Sequence, residues 1–338
     1  MTTFSGWAAL AAKEALRPFS YEPRELGGHE VEIAISHCGI CYSDISLIDN
    51  GWNSSKYPFI PGHEIVGHVT ARGGDVAHLA VGQRVGVGWQ RSACLTCELC
   101  LDRYDNLCAD QTATAVGNHG GFAGMIRTDG RYAFAVPDGL DSASAAPLLC
   151  GGATVYSPMR RYGIDATCQV GVVGVGGLGH IAILMLRAFG CEITAFSTSE
   201  SKREEALAMG AHHFVPSKEP RELLKQSGRF HLLLSTVPAK LDWITYLKAL
   251  RPNGTLCLVG SPPGFLQIPA ASLFAGQKTI SASEIADRAT IAEMLRFSAR
   301  HGIKPVVETM PLDQVNAAIE RVRKNEARYR MVLEMGAG

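Results

Sequence analysis

The stretch QVGVVGVGGLGHIAILMLRAFG, residues 169–190, decides the fold. A valine-rich run leads into a turn of glycines, and the turn leads into a helical pattern that stops at Gly190. Gly174, Gly176 and Gly179 satisfy G-x-G-x-x-G, with Val175, Gly177 and Leu178 between them. The pattern carries weight because it follows a strand and opens a helix. Gly174 permits a tight turn, Gly176 lets backbone approach a pyrophosphate, and Gly179 lets helix and strand pack closely. The helix N-terminus then offers free N–H groups and the positive end of its dipole to phosphate.

Working outward, EITAFSTS (192–199) reads as a second strand, SKREEALAMG (201–210) as a helix ending in glycine, and HLLLSTV (231–237) as a further strand. LDWITYLKALRPNG (241–254) reads as a helix stopped by Pro-Asn-Gly, and TLCLVGSPPG (255–264) as the next strand. Apolar strands alternating with helices predict an α/β fold, a parallel sheet covered on both faces. The end of the second strand bears on the cofactor. An NAD site usually places Asp or Glu there for the ribose 2′-hydroxyl. This chain has Ser197, Thr198 and Ser199, with Lys202 and Arg203 just beyond. Small hydroxyls and cations suit a 2′-phosphate, so NADPH is favoured over NADH. Glu200 is a mild counter-signal, and the alternative for the two cations is an ordinary solvated helix face.

Before residue 152 the texture is different. EVEIAIS (30–36) alternates like a half-buried strand, and EIVGHVT (64–70) and VGQRVGVG (81–88) follow between Gly, Pro and Asp turns. The expected domains are a mostly β first part, 1–151, a nucleotide-binding part, 152–286, and a return to the first domain over 287–338. That last part has a helix at 289–302, a strand at 304–310, a short helix at 312–322 and a strand at 328–335.

Lysine plus arginine and aspartate plus glutamate number 32 each, which leaves no field to recruit nucleic acid or an anionic membrane. The N-terminal residues have no basic leader or cleavage site, and no apolar run reaches the ~20 residues of a membrane span. A cytoplasmic protein is the expectation. Ten cysteines in such a chain are read as thiols, not disulfides. Cys94, Cys97, Cys100 and Cys108 fall within fifteen residues. Four thiolates that close can surround a tetrahedral zinc with no open position, a structural site pinning a lobe over about 89–109. Cys41, His63 and Cys150 would make a Cys2His set with one position open, but spacing alone cannot join residues so far apart.

CGICYSD (38–44), PGHEIVGHV (61–69), VGVGWQRSACLTCELC (85–100), APLLCGGATVY (146–156), VGVGGLGH (173–180), LRPNGTLCLVG (250–260) and ARYRMVL (327–333) appear in order. Together they resemble the zinc-dependent medium-chain alcohol dehydrogenases, in their cinnamyl alcohol dehydrogenase-like branch. The resemblance implies a GroES-like mostly-β catalytic domain, a Rossmann doubly wound nucleotide domain, and a homodimer. It implies two zinc ions per chain, one of them catalytic on Cys41, His63 and Cys150. It further implies that Glu64 can approach that zinc, that Asp44 orients the ligand histidine, and that Ser43 passes the substrate's proton. Thr154 falls where a threonine lies against the nicotinamide, and Arg330, rather than Arg328, where an arginine meets the pyrophosphate. Cys38 is then a packed bystander. Cys168, Cys191 and Cys257 have the neighbours of buried strand thiols.

Two departures matter. Many relatives carry histidine where this chain has Tyr42 and again where it has Ser46. Without an imidazole at 46, a proton would travel from Ser43 through ribose hydroxyls, water or Ser46. The expected activity is NADP(H)-dependent reduction of an aldehyde, zinc polarising the carbonyl for hydride transfer. Tyr42, Trp52 and Trp89 are placed at the substrate pocket, favouring aromatic or large apolar aldehydes, although the tryptophans could simply pack in the core. Reduction of an imine or a conjugated alkene on the same scaffold is the alternative, and a non-catalytic zinc- and nucleotide-binding protein a remote one.

Overall fold

The computed structural model describes residues 2–336; Met1, Ala337 and Gly338, assigned by sequence to the ends of the first domain, lie outside the described residues. The chain forms two compact units. Residues up to Ala153 together with those from Ile285 make one, and Thr154–Glu284 make the other.

The second unit is a six-stranded sheet. Its spatial order is His213–Pro216, Glu192–Ser197, Gln169–Val173, Phe230–Ser235, Leu250–Leu258, Thr279–Ala282. Every neighbouring pair is parallel. Numbered along the chain, this is 3-2-1-4-5-6, the Rossmann order, whose switch point lies between the first and fourth strands. The glycine turn leaves the first strand there, and helix Gly179–Phe189 follows it, ended by Gly190 in the left-handed region (φ 82°). The strands are apolar because both sheet faces are covered. Val170, Val172, Ile193, Ala195, Leu232, Leu233 and Leu234 are all 0 % exposed.

The first unit is built on a seven-stranded sheet. Val307–Pro311, Arg330–Glu334, Glu30–Ile40, Glu64–Arg72, Arg84–Val87 and Ala133–Ala135 are neighbours in that order, and Met125–Asp129 also pairs with Glu30–Ile40. All these contacts are antiparallel except the first, Val307–Pro311 beside Arg330–Glu334. Its core includes Val31, Ile33, Ile65, Val69, Val85, Met331 and Leu333. The N-terminal segment is a hairpin of Phe4–Ala8 with Arg17–Tyr21.

Three expectations are corrected. The helix expected over 241–254 spans only Trp243–Ala249, and the Leu-Arg-Pro-Asn-Gly that follows belongs to strand Leu250–Leu258. A register irregularity between Phe230 and Leu232 takes up those residues, so Pro-Asn-Gly makes a bulge instead of a helix stop. The strand expected over 81–88 is confined to Arg84–Val87, after a turn at Gly82 with φ 83°. Cys168 and Cys191 are buried but immediately precede their strands, and only Cys257 lies within one. No described helix is long and apolar enough to cross a membrane.

Candidate active site

Three local structures bring Cys41, His63 and Cys150 together. Cys41 is the N-cap of helix Tyr42–Ile48. Asp44, at the third helical position, reaches back to accept from the Cys41 N–H at 2.9 Å, satisfying one of the helix's unpaired donors. His63 follows Gly62, whose φ of 101° favours glycine and where a Cβ would lie 2.6 Å from Phe122. The Gly62 N–H donates to Asp44 Oδ1 at 3.0 Å, and His63 Nδ1 lies 2.8 Å from the same oxygen. Cys150 sits in a single π-helical turn, Leu148–Gly152, between helices Ser142–Pro147 and Ala153–Arg161. Such turns displace one side chain from the helical register.

The result is compact. One ligand atom from each of Cys41, His63, Glu64 and Cys150 lies within 4.8 Å of the others. The two sulfurs are 3.9 Å apart, and His63 Nε2 is 3.3 Å from Cys150 Sγ. Asp44, His63 and Glu64 are 0 % exposed. With Nδ1–H donating to Asp44, the lone pair of His63 is on Nε2, facing the thiols.

Charge is concentrated here. The hydrogen bond from Cys150 holds the Cys41 thiol well below the usual range, and the same bond with burial pushes Cys150 well above it. Burial raises Glu64 to about 7 against the pull of Arg330. Arg330 is 6 % exposed and donates to Glu64 and, at 3.4 Å, to the Ile40 carbonyl. Glu64 Oε2 has no hydrogen-bond partner among the described residues. A buried, unsatisfied carboxylate oxygen beside two thiols and an imidazole fits a cation.

The second cluster fits zinc by its edge lengths. Tetrahedral sulfur at ~2.3 Å from a metal implies S···S separations of about 3.8 Å. Here Cys94–Cys100 is 3.8 Å, Cys97–Cys108 3.8 Å and Cys94–Cys108 3.6 Å.

The proposed pocket residues divide. The Trp89 ring stands edge-on to His63, centroids 4.9 Å apart, and Trp52 stands edge-on to Trp89 at 6.0 Å. Trp52 is 51 % exposed, so it is not a core residue. Tyr42 is 60 % exposed and outside the metal cluster, and Ser43, beside it, is partly exposed. Ser46 donates to the Tyr42 carbonyl at 3.1 Å.

In the nucleotide unit Gly174 has φ 94°, nothing lies within 4 Å of a Cβ at Gly176, and a Cβ at Gly179 would meet the Gly174 carbonyl at 1.8 Å. Lys202 Nζ donates to the Val175 carbonyl at 2.6 Å, which ties that cation to the glycine turn. Arg203 instead pairs with Glu200 and covers Phe214, 4.6 Å from the ring centre. Ser197 is buried at its strand end and accepts from the Ser199 N–H at 3.2 Å; Thr198 is exposed. Thr154 is partly exposed on helix Ala153–Arg161. No pattern in the sequence singles out Gly39, where a Cβ would lie 2.0 Å from Glu64 Oε2. Only its place opposite Glu64 in the antiparallel register reveals that it clears space for the carboxylate.

Residues 27–138 match the alcohol dehydrogenase GroES-like domain, and residues 177–300 match zinc-binding dehydrogenase. The chain is 47 % identical over 327 residues, 97 % of each sequence, to the aldehyde reductase AdhA of Synechocystis sp.. A solved cinnamyl alcohol dehydrogenase from Sorghum bicolor superposes with a TM-score of 0.94 at 37 % identity, covering 98 % of both chains. One from Helicobacter pylori, complexed with NADP(H), gives 0.91 at 30 % identity, again over 98 % of both. With similarity at that level running through both units, the chain belongs to the zinc-dependent medium-chain alcohol dehydrogenases, in the cinnamyl alcohol dehydrogenase-like branch.

Proposed function

We propose that this protein is an NADPH-dependent aldehyde reductase acting on aromatic or other large apolar aldehydes, with zinc on Cys41, His63 and Cys150. The observation that carries the reading is the buried meeting of those three side chains, with Asp44 behind the histidine. The names of its aldehyde reductase and cinnamyl alcohol dehydrogenase relatives support it. Zinc there would act as a Lewis acid on a carbonyl oxygen, and NADPH would supply the hydride.

The chain's own groups then have distinct tasks. Asp44 keeps the proton on His63 Nδ1 and so directs Nε2 inward. Glu64 can approach the metal set, and Arg330, which pairs with it, also serves the cofactor's pyrophosphate. Ser43 passes a proton to the carbonyl oxygen as it is reduced, and takes it back in the oxidation direction. Trp89 and Trp52 supply an apolar wall next to His63. Gly174, Gly176, Gly177, Leu178 and Gly179 receive the pyrophosphate, and Ser197, Thr198, Ser199 and Lys202 receive the 2′-phosphate, while Arg203 stays with Glu200 and Phe214. Thr154 lies against the nicotinamide. A second zinc, on Cys94, Cys97, Cys100 and Cys108, holds the lobe, and the protein works as a homodimer.

The test is Cys150→Ala. Turnover of NADPH with aldehyde should fall to background while NADPH still binds with wild-type affinity. A variant as active as wild type would sink the ligand assignment. A second reading, reduction of an imine or conjugated alkene, draws on Tyr42 and on Ser46, whose hydroxyl is committed to a helix carbonyl.

A further inference from the structure

A second pocket, of about 340 Å³, lies in the first unit. None of its lining residues belongs to either cysteine cluster or to the glycine turn. Arg24, Lys56, Arg91 and Arg127 line it with the rings of Tyr21 and His119, and no Asp or Glu does.

Two carboxylates lie behind these cations, and both are already committed. Glu30 Oε1 accepts from Arg24, and Glu30 Oε2 accepts from the Gly27 N–H at 2.9 Å. Glu32 Oε2 takes two bonds from Arg127, Nε at 2.8 Å and Nη2 at 2.7 Å, while Oε1 accepts from Thr70 at 3.0 Å. Arg91 is left over. Its side chain is only 15 % exposed, and Glu30 Oε1, its ion-pair partner, stands 3.9 Å away, outside hydrogen-bond reach. A guanidinium presents five donors and keeps its charge, and with no protein acceptor bonded to it Arg91 offers those donors to the pocket it lines. Burial pulls the Arg91 pKa below its ordinary value despite Glu30.

Strands hold the walls. Tyr21, Arg91 and Arg127 each belong to a strand. The His119 ring lies against Tyr21, with centres 4.2 Å apart and planes tilted by 39°. His119 Nδ1 accepts the Ile60 N–H at 3.2 Å, which makes that imidazole neutral and leaves no added charge between the rings.

We propose that this pocket binds a small aryl oxyanion, with the carboxylate or phosphate group on Arg91 and the ring against Tyr21 and His119. Bidentate pairing with a guanidinium is chemistry that carboxylate and phosphate share. The aromatic pair adds contact that a bare anion cannot use. The site is independent of the metal chemistry and would give the enzyme a place to sense an aromatic acid or ester apart from its substrate.

Isothermal titration of the zinc-loaded full chain, saturated with NADP+ to close the nucleotide site, tests this. The probes are phenyl phosphate, benzoate and inorganic phosphate. One aryl probe should bind once per chain, and inorganic phosphate several-fold more weakly than phenyl phosphate. Arg91→Gln should weaken the aryl probe roughly tenfold or more by removing the charge-assisted bonds. Lys56→Ala changes an exposed rim residue, leaves the packing untouched and should weaken binding several-fold. The better of benzoate and phenyl phosphate identifies the oxyanion. No binding of either aryl probe at millimolar concentration overturns the proposal, as does binding that neither substitution changes. Inorganic phosphate binding as tightly as phenyl phosphate would overturn the aromatic half.

Discussion

Asp44 shows how much one side chain can be asked to hold. It accepts from Cys41, from Gly62 and from His63, so the helix start, the turn before the histidine and the imidazole tautomer share one carboxylate. Asp44→Asn keeps the shape but puts an NH2 where an acceptor is needed. Supporting groups of this kind are worth about 10- to 100-fold. We expect kcat/KM for aldehyde reduction to fall by that factor, with zinc content per chain lowered at limiting metal; metal analysis beside the kinetics checks both. Lys202 poses a separable question, since it is anchored on the Val175 carbonyl within the glycine turn. If it meets the 2′-phosphate, Lys202→Ala should raise KM for NADPH roughly tenfold and leave KM for NADH nearly unchanged. Equal effects on the two cofactors would leave Lys202 a structural tether only. These roles were unevenly legible. The glycines and the four clustered cysteines announce themselves by spacing, whereas Cys41, His63 and Cys150 are too far apart along the chain for spacing to unite. Gly39 carries no signal until the register sets it against Glu64.

At the scale of elements, helix Tyr42–Ile48, which leads from Cys41 through Ser43 and Asp44, is clamped at its far end. Asp49, its C-cap, receives two bonds from Arg323 at 2.5 and 2.7 Å, and Arg323 closes helix Val315–Arg323. Those bonds lower the Asp49 pKa, against the opposing effect of burial. A carboxyl depressed in the folded state stabilises fully above its unfolded value of about 4 and loses that contribution as pH falls through the folded value. The pair is about a quarter exposed, which limits it to about 1 kcal/mol. Arg323→Leu should therefore lower the urea midpoint by a constant amount from pH 8 to pH 5, and the gap should close only below about pH 4. A gap that shrinks between pH 7 and pH 5 would mean another group is titrating. The four-cysteine lobe is the opposite kind of element. Of the seven residues in its apolar cluster, four are Cys94, Cys97, Cys100 and Cys108 themselves, so without metal little core remains. Its short helix Glu98–Leu101 and single 3-10 turn could not be read from periodicity, because the packing of four cysteines and not an apolar stripe shapes them. The Pro-Asn-Gly bulge was misread for a similar reason: local punctuation says stop, while pairing with Phe230–Ser235 carries the strand through.

For the whole molecule, the sequence made the division of labour plain because two hydrophobic periods meet in one chain, alternation in the first part and buried strand–helix repeats in the second. The strand–helix alternation announced a parallel sheet but not its 3-2-1-4-5-6 order, because right-handed crossovers permit other doubly wound orders as well. Substrate choice is a different matter, since it depends on a pocket wall and a proton path that no period encodes. Trp89 lies beside His63 with Trp52 against it, the hydroxyl of Ser46 is tied to the Tyr42 carbonyl, and Tyr42 is exposed on the helix carrying Ser43. Hydride transfer to a carbonyl needs neither residue 42 nor residue 46. A large aromatic aldehyde should therefore be reduced well, and alcohol oxidation should suffer more at low pH than at high pH, where base in solution can take the proton. The measurement is the initial rate of NADPH oxidation with cinnamaldehyde and a panel of aromatic and aliphatic aldehydes, with products identified by chromatography. Cinnamyl alcohol as product, with aromatic aldehydes preferred over short aliphatic ones, is the expected outcome. The saturated aldehyde would mean that the alkene is reduced instead, and would make Tyr42 the first residue to restore to histidine.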